Sequence, residues 1–297
     1  MKILVIGSKG QLGHELLIQG NNSGYEILPA DLPDIDITDK TQVKHRLEKY
    51  RPSFIVNAAA YTNVDKAETE QNLAFVVNRD GPANLAEICA RFKVPLIHIS
   101  TDFIFDGKKS SPYIESDPAA PLSIYGKSKE QGENEVRSRL KKHIILRTAW
   151  LYGVHGQNFV KTMLKLGKEK EVISVVADQF GSPTSAADLA EATLNIISKI
   201  KHSSDIKWGT YHYCGHGITT WHKFAEEILN LASQYISIKT TNVKPISTAE
   251  YPTKAIRPPF SALDCGLIKM NFGIILKPWQ DSLKTVIRQL CQKETEK

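Results

Sequence analysis

Lys2-Ile3-Leu4-Val5-Ile6-Gly7-Ser8-Lys9-Gly10-Gln11-Leu12-Gly13 is the stretch from which the fold of this chain is read. An apolar strand runs into a glycine turn, and the turn opens a helix. Such a turn can cradle phosphate. Gly7, Gly10 and Gly13 let the backbone approach a pyrophosphate, and the first helical amides point at the anion with the helix dipole behind them. The spacing is G-x-x-G-x-x-G, one residue longer than the common dinucleotide fingerprint, so its place directly after the first strand carries the argument. A second strand over 25–29 ends near Asp31, an acid at the separation from the turn where such folds bind an adenosine ribose. A plain turn or cap aspartate is the other reading of Asp31.

Asp34, Asp36 and Asp39 suit the capping of a helix that reaches about residue 50, and Asp36 is a second candidate to lie over a cofactor. The run Phe54-Ile55-Val56-Asn57 reads as a third strand, apolar throughout as parallel strands covered on both faces are. It ends in Ala58-Ala59-Ala60-Tyr61, where small residues let a flat ring or a ribose lie against backbone, or else let a helix pack closely. A helical pattern over 73–91 carries Gly81-Pro82, the mark of a bend or break. The fourth strand, 94–100, delivers Ser100-Thr101-Asp102 to its C-terminal edge, the side on which open α/β sheets bind ligands. A further buried strand over 143–148 leads to Trp150, whose indole either meets a sugar or base or packs in the core.

This alternation predicts an α/β fold, a Rossmann-type doubly wound parallel sheet. Residues 1–150 form the NAD(P)-binding domain in this reading. Residues 151–297 are mainly a smaller substrate-binding α/β domain, with later segments returning to the first. That second part reads as a helix over 159–168, a strand over 172–176, a loop over 178–184 and a helix over 187–199. A strand over 209–214, a helix reaching about residue 231 with a threonine N-cap in Thr219-Thr220, a proline-rich span from Pro245 to Pro259 and a closing helix over 279–290 follow.

Composition narrows the class further. With 41% hydrophobic and 24% charged residues the chain is ordinary for a soluble globular protein. No apolar run reaches membrane-spanning length, and the N-terminal run is too short for a signal peptide. Cys89, Cys214, Cys265 and Cys291 form no C-x-x-C pair, which points to neither zinc nor a disulfide framework and suits a reducing cytoplasm. The net charge of +6 is scattered, so an anionic small molecule is a better partner than nucleic acid or a membrane.

Chemistry enters with Tyr125-Gly126-Lys127-Ser128-Lys129. A tyrosine four residues before a lysine brings phenol and ammonium to one helix face, and the ammonium favours release of the phenolic proton. The same pattern also arises by chance on solvated helices. The hydroxyls at the preceding strand end give it context.

Gly7, Gly10 and Gly13, Asn57-Ala58-Ala59-Ala60, Ser100-Thr101-Asp102 and Tyr125-x-x-x-Lys129 together resemble the extended short-chain dehydrogenase/reductase superfamily. Within it, the run from Asn57 to Glu68, Asn158-Phe159-Val160-Lys161, Asp178-Gln179-Phe180-Gly181, Thr219-Thr220-Trp221-His222 and Arg257-Pro258 resemble segments of dTDP-4-dehydrorhamnose reductases. That resemblance covers nearly the whole chain. It implies reduction of the C4 ketone of dTDP-4-dehydro-6-deoxy-L-mannose to dTDP-L-rhamnose by NADPH or NADH, with a dTDP-sugar as substrate. It further implies that Tyr125 gives the proton, that Lys129 lowers its pKa and holds the nicotinamide ribose, and that Thr101 bonds the reacting oxygen. Asp102 and Trp150, with Thr101, match positions that contact the sugar nucleotide. Gly10, Gln11, Leu12, Asp31, Asp36, Ile37, Ala59, Ala60 and Tyr61, with Tyr125 and Lys129, match positions that contact the cofactor. The family also carries a magnesium ion held by glutamates at a homodimer interface. Only Glu15 is an easy match, so metal and dimer stay unassigned.

Three neighbouring readings are weighed against this one. A nucleotide-sugar 4,6-dehydratase needs a glutamate after Thr-Asp, where this chain has Phe103. A C4 epimerase shares the tyrosine and lysine and is disfavoured by the matched outer segments. A non-catalytic subunit resembling the methionine adenosyltransferase β subunit would not need Thr101, Tyr125 and Lys129 together. Asp31 favours NADH by repelling a 2′-phosphate, Lys9 favours NADPH, and Arg257 is either a diphosphate partner or a surface arginine.

Overall fold

The computed structural model describes residues 1–295. Its centre is a six-stranded sheet containing β1 (Lys2–Ile6), β2 (Glu26–Ala30), β3 (Phe54–Asn57), β4 (Leu96–Thr101), β5 (His143–Thr148) and a last strand, Gly209–His212. The spatial order is Gly209–His212, β5, β4, β3, β1, β2, and every neighbouring pair is parallel. Every residue of β3 and β5 is buried, as a parallel sheet covered on both faces demands. β2 is an edge strand, which is why Pro29 is tolerated within it.

From β1 the chain passes outward to β2 and then returns to start β3 on the other side. The crevice between the C-terminal ends of β1 and β3 is therefore the switch point where a ligand can lie against backbone. Helix α1 (Gln11–Asn22) follows β1 and packs on the helix Ala186–His202, with Gln19 Nε2 donating to the Ala187 carbonyl at 2.9 Å. α2 (Lys40–Tyr50) is capped by Asp39, which accepts from the amides of Thr41 and Gln42. Apolar clusters fill both faces of the sheet.

The helical stretch before β4 departs from the expected break. Gln71–Phe75 is α-helical, Val76–Asp80 forms a π turn, and Gly81–Phe92 continues as α-helix with Pro82 in its first turn. Pro82 has no N–H for the Asn78 carbonyl, and the wider π turn absorbs the mismatch. Gly132 of the Tyr125 helix packs against that carbonyl, where a Cβ would collide. The absent side chain lets the two helices approach and so sets the height of Tyr125 above the sheet.

Outside the sheet, a third apolar cluster joins the helices Phe159–Glu169, Trp221–Ala232 and Trp279–Thr295. Val172–Val176 pairs in parallel with Asn242–Ile246, a strand that the proline-rich sequence concealed. Pro245 sits in this two-stranded sheet, where each strand has one free edge. Among the described residues no helix is long and apolar enough to cross a membrane.

Candidate active site

The C-terminal ends of β1, β3, β4 and β5 open into a cleft of about 730 Å³. One side is lined by Gly7, Gly10, Gln11, Leu12, Gly13, Asp31, Asp36, Ile37, Ala59 and Ala60, and the other by Thr101, Asp102, Tyr125, Lys129 and Trp150. Residues far apart in sequence thus meet in one place, as the parallel sheet requires.

Gly7 has φ of +80°, and a Cβ there would stand 2.6 Å from the Ala59 amide nitrogen. The turn lies directly on the end of β3. α1 begins at Gly10 with no side-chain cap and no acid in its first turn, which leaves its amides and dipole for an anion. At the rim, Asp31 accepts from the amides of Lys9 (2.9 Å) and Leu32 (2.8 Å), while Lys9 Nζ donates to the Leu32 carbonyl at 2.6 Å. The turn and ribose readings of Asp31 are therefore compatible: backbone amides orient a carboxylate that lines the cleft. Asp36 accepts from the Thr38 amide and hydroxyl, fixing the loop around buried Ile37. Tyr61 differs. Its phenol donates to Glu70 at 2.5 Å and its amide to Asn78 Oδ1 at 2.8 Å, and its side chain is not part of the cleft lining.

At the other side, Ser123 caps the helix Ile124–Arg139 by accepting from the Gly126 amide, which places Tyr125 in the first turn and Lys129 one turn later. Thr101 donates to Asp102 Oδ1 at 3.0 Å, accepts from the Phe103 amide at 3.1 Å and lies beside the Tyr125 phenol. Phe103 packs edge-on to Tyr125, with ring centroids 5.6 Å apart. Lys129 is buried and its ammonium donates to the Ile99 carbonyl at 2.7 Å.

Burial sets the proton affinities. It pushes the Tyr125 phenol up to about 12, against the opposing hydrogen bond from Thr101 and with a smaller push from the Asp102 charge. The expectation of a depressed phenol pKa is thus reversed, because the desolvation of a phenolate outweighs the favourable contacts. A proton donor needs the protonated form, and burial secures it. Lys129 is lowered to about 8 by burial, with Glu133 opposing. Asp102 is raised to about 6 by burial, with Ser261 and Thr101 opposing.

Trp150 combines both of its readings. Its backbone is left-handed, with φ of +47°, an uncommon state for a bulky residue. Its indole stacks on Trp221 at 3.5 Å and 8° and leaves no room for a Cβ on Gly181, yet it also lines the cleft. Arg257 is paired with Asp65 at 2.8 Å and does not line the cleft, so it braces the short helix Val64–Ala67 that follows the third strand. Sequence reasoning missed the loop at Gly156 and Gln157, which also lines the cleft. Asn158 holds it, donating to Gln11 Oε1 at 2.9 Å while capping the next helix. An asparagine before an apolar helix was the available signal.

A separate cavity of about 640 Å³ holds Glu15, Asp188, Glu191 and Lys277. The Lys277 ammonium donates to Asp188 at 2.9 Å and to Glu191 at 2.7 Å. Asp188 and Glu191 thus hold a cation of the chain's own. Among the described residues no group of three His, Cys, Asp or Glu side chains could hold a metal ion.

Comparisons with known proteins identify the family. Residues 1–292 match a family model described as the RmlD substrate binding domain. A curated dTDP-4-dehydrorhamnose reductase of Aggregatibacter actinomycetemcomitans is 42% identical over 96% of this chain and 98% of that relative. The crystal structure of a dTDP-4-dehydrorhamnose reductase from Clostridium acetobutylicum superposes with a TM-score of 0.91 at 40% identity, covering 98% of this chain and 99% of that one. A Bacillus anthracis dTDP-4-dehydrorhamnose reductase solved in complex with NADP gives 0.89 at 40% identity, covering 97% and 99%.

Proposed function

Because this chain belongs to the dTDP-4-dehydrorhamnose reductase family, we propose that Tyr125, Lys129 and Thr101 reduce the C4 ketone of dTDP-4-dehydrorhamnose to dTDP-L-rhamnose. The observation that carries these roles is the convergence of phenol, ammonium and threonine hydroxyl in one cleft with the glycine turn. NADPH or NADH, when bound, supplies the hydride. The Tyr125 phenol, kept protonated by burial, gives its proton to the oxygen that becomes the C4 hydroxyl. Thr101 orients that oxygen by a hydrogen bond, and the Lys129 ammonium stabilises the phenolate left behind. The amides at the start of α1 hold the pyrophosphate and Asp31 the adenosine ribose, while Lys9 at the same rim admits a 2′-phosphate, so both nicotinamide cofactors are accepted. Residues 1–150 with the strand Gly209–His212 bind the dinucleotide, and the aromatic outer part binds the dTDP-sugar in a protein of the cytoplasm.

The test offers dTDP-4-dehydrorhamnose with each reduced nicotinamide and identifies the product by mass and stereochemistry. Turnover with Tyr125→Phe should fall by roughly 100-fold or more while NADPH affinity stays within about twofold. Near-normal turnover in that variant would assign the proton to another group.

A further inference from the structure

Behind Lys129 runs a buried polar row that the reaction described above does not use. Glu133 stands one helical turn beyond Lys129 and is fully buried. Arg147 of β5 grips it with two parallel bonds, Nε to Oε1 at 2.9 Å and Nη2 to Oε2 at 2.7 Å. Arg147 lies between Ser100 of β4 and His212 of the last strand in the sheet register, and Nη1 meets His212 Nε2 at 3.3 Å. The His212 Nδ1 faces the carbonyls of Tyr113 and Asp264, each at 3.1 Å, so it carries the ring proton and Nε2 accepts from Arg147. Arg137, on the outer side of the helix, gives Glu133 a third bond at 2.8 Å.

Burying this much charge is costly, and a pair of apolar residues would fill the space at no loss of stability in many proteins. Its position suggests what it does. We propose that Glu133, clamped by Arg147, is a positioning residue that acts through Lys129 by keeping its ammonium charged at the cleft. Lys129 is itself buried, and burial favours the neutral amine. Glu133 is the negative group that opposes this loss on the same helix face. His98 of β4 faces Lys129, and Tyr125 precedes it by one turn; beyond these, His143 and Arg137 act on His98, Asp102 on Tyr125, and Arg147 and Arg137 on Glu133. Burial keeps His98 and His143 neutral, and Asp102 ionises near 6, so none of these changes charge where Lys129 does.

The inference rests on the reductase reading for its consequence, and a binding measurement separates the two. NADPH affinity, followed by its fluorescence, and turnover with dTDP-4-dehydrorhamnose are measured from pH 6 to pH 10 on the full chain. In the parent protein both should decline as pH passes about 8, where Lys129 loses its proton. Glu133→Gln should move that decline about one pH unit lower. Arg137→Gln, which removes a competing positive charge at a half-exposed site, should move it a few tenths of a unit higher. Opposite shifts would establish the role, since a merely structural residue changes amplitude and leaves the midpoint alone. An unmoved midpoint in folded Glu133→Gln overturns the proposal. If that variant does not fold, an unmoved or lowered midpoint in Arg137→Gln does so. Failure of the parent to reduce the ketone, with the binding midpoints shifted as stated, would sink the reductase reading and keep this one.

Discussion

The two walls of the cleft are built on different principles. The wall that carries the glycine turn is backbone: Gly7 lies on Ala58 and Ala59, α1 offers uncapped amides, and Asp31 is oriented by the amides of Lys9 and Leu32. The facing wall is side chain: Thr101, Asp102, Tyr125, Lys129 and Trp150 line it, the Trp150 indole stacks on Trp221, and Phe159, Phe224 and Trp279 pack behind that pair. A backbone wall recognises what all dinucleotides share and tolerates no added atom. A wall of side chains can be reshaped one residue at a time, so under the proposed function it is the one that selects the sugar.

The contrast can be broken at its stiffest point first. Gly7→Ala meets a positive φ and backbone atoms within 3 Å, and should cost about 4 kcal/mol of stability together with most NADPH binding. A variant that melts like the parent and binds NADPH normally would show that the turn has slack. Trp221→Ala removes one plate of the stack and should cost about 3 kcal/mol. Here the Michaelis constant for the dTDP-sugar should rise about tenfold while the NADPH dissociation constant changes less than twofold. Equal effects on both ligands would mean that the walls are not independent.

The smallest effect is a sign test on the floor between the walls. Asp102 has its folded-state pKa raised from 3.8 to about 6 by burial, so the folded chain binds its proton more tightly than the unfolded chain does. Its contribution is fully present below 3.8 and is lost as pH rises towards 6. Asp102→Asn cannot ionise and should be more stable than the parent by about 2 kcal/mol at pH 7, with the difference vanishing near pH 4. Thermal unfolding at both pH values measures this, and a variant less stable at pH 7 would show that the carboxylate is better solvated than its burial implies.

The architecture of the glycine-turn wall was legible in the sequence because each of its parts is local. A strand, a glycine turn and a helix start are specified by a dozen neighbouring residues, and Ala58 to Ala60 announce close approach by their size. Tyr125 and Lys129 were legible for the same reason, being four residues apart on one helix. Tyr61 went the other way, its phenol held by Glu70. The strand Asn242–Ile246 was hidden because Pro245 reads as a loop residue until a partner strand is known. Trp150 kept two readings, since only the neighbours Trp221 and Gly181, distant in sequence, reveal how its ring is held.

What the residue order determined by itself was the kind of machine: an alternating α/β sheet, an anion-binding turn, and a phenol paired with an amine. The tertiary structure decided the proton affinities. Burial raised Tyr125 instead of lowering it, placed Glu133 and Arg147 behind Lys129, and set the Lys277 ammonium between Asp188 and Glu191. The physical reason is range. Turn geometry and helix spacing act between near neighbours in the chain, whereas desolvation and ion pairing depend on which distant groups exclude water around a charge.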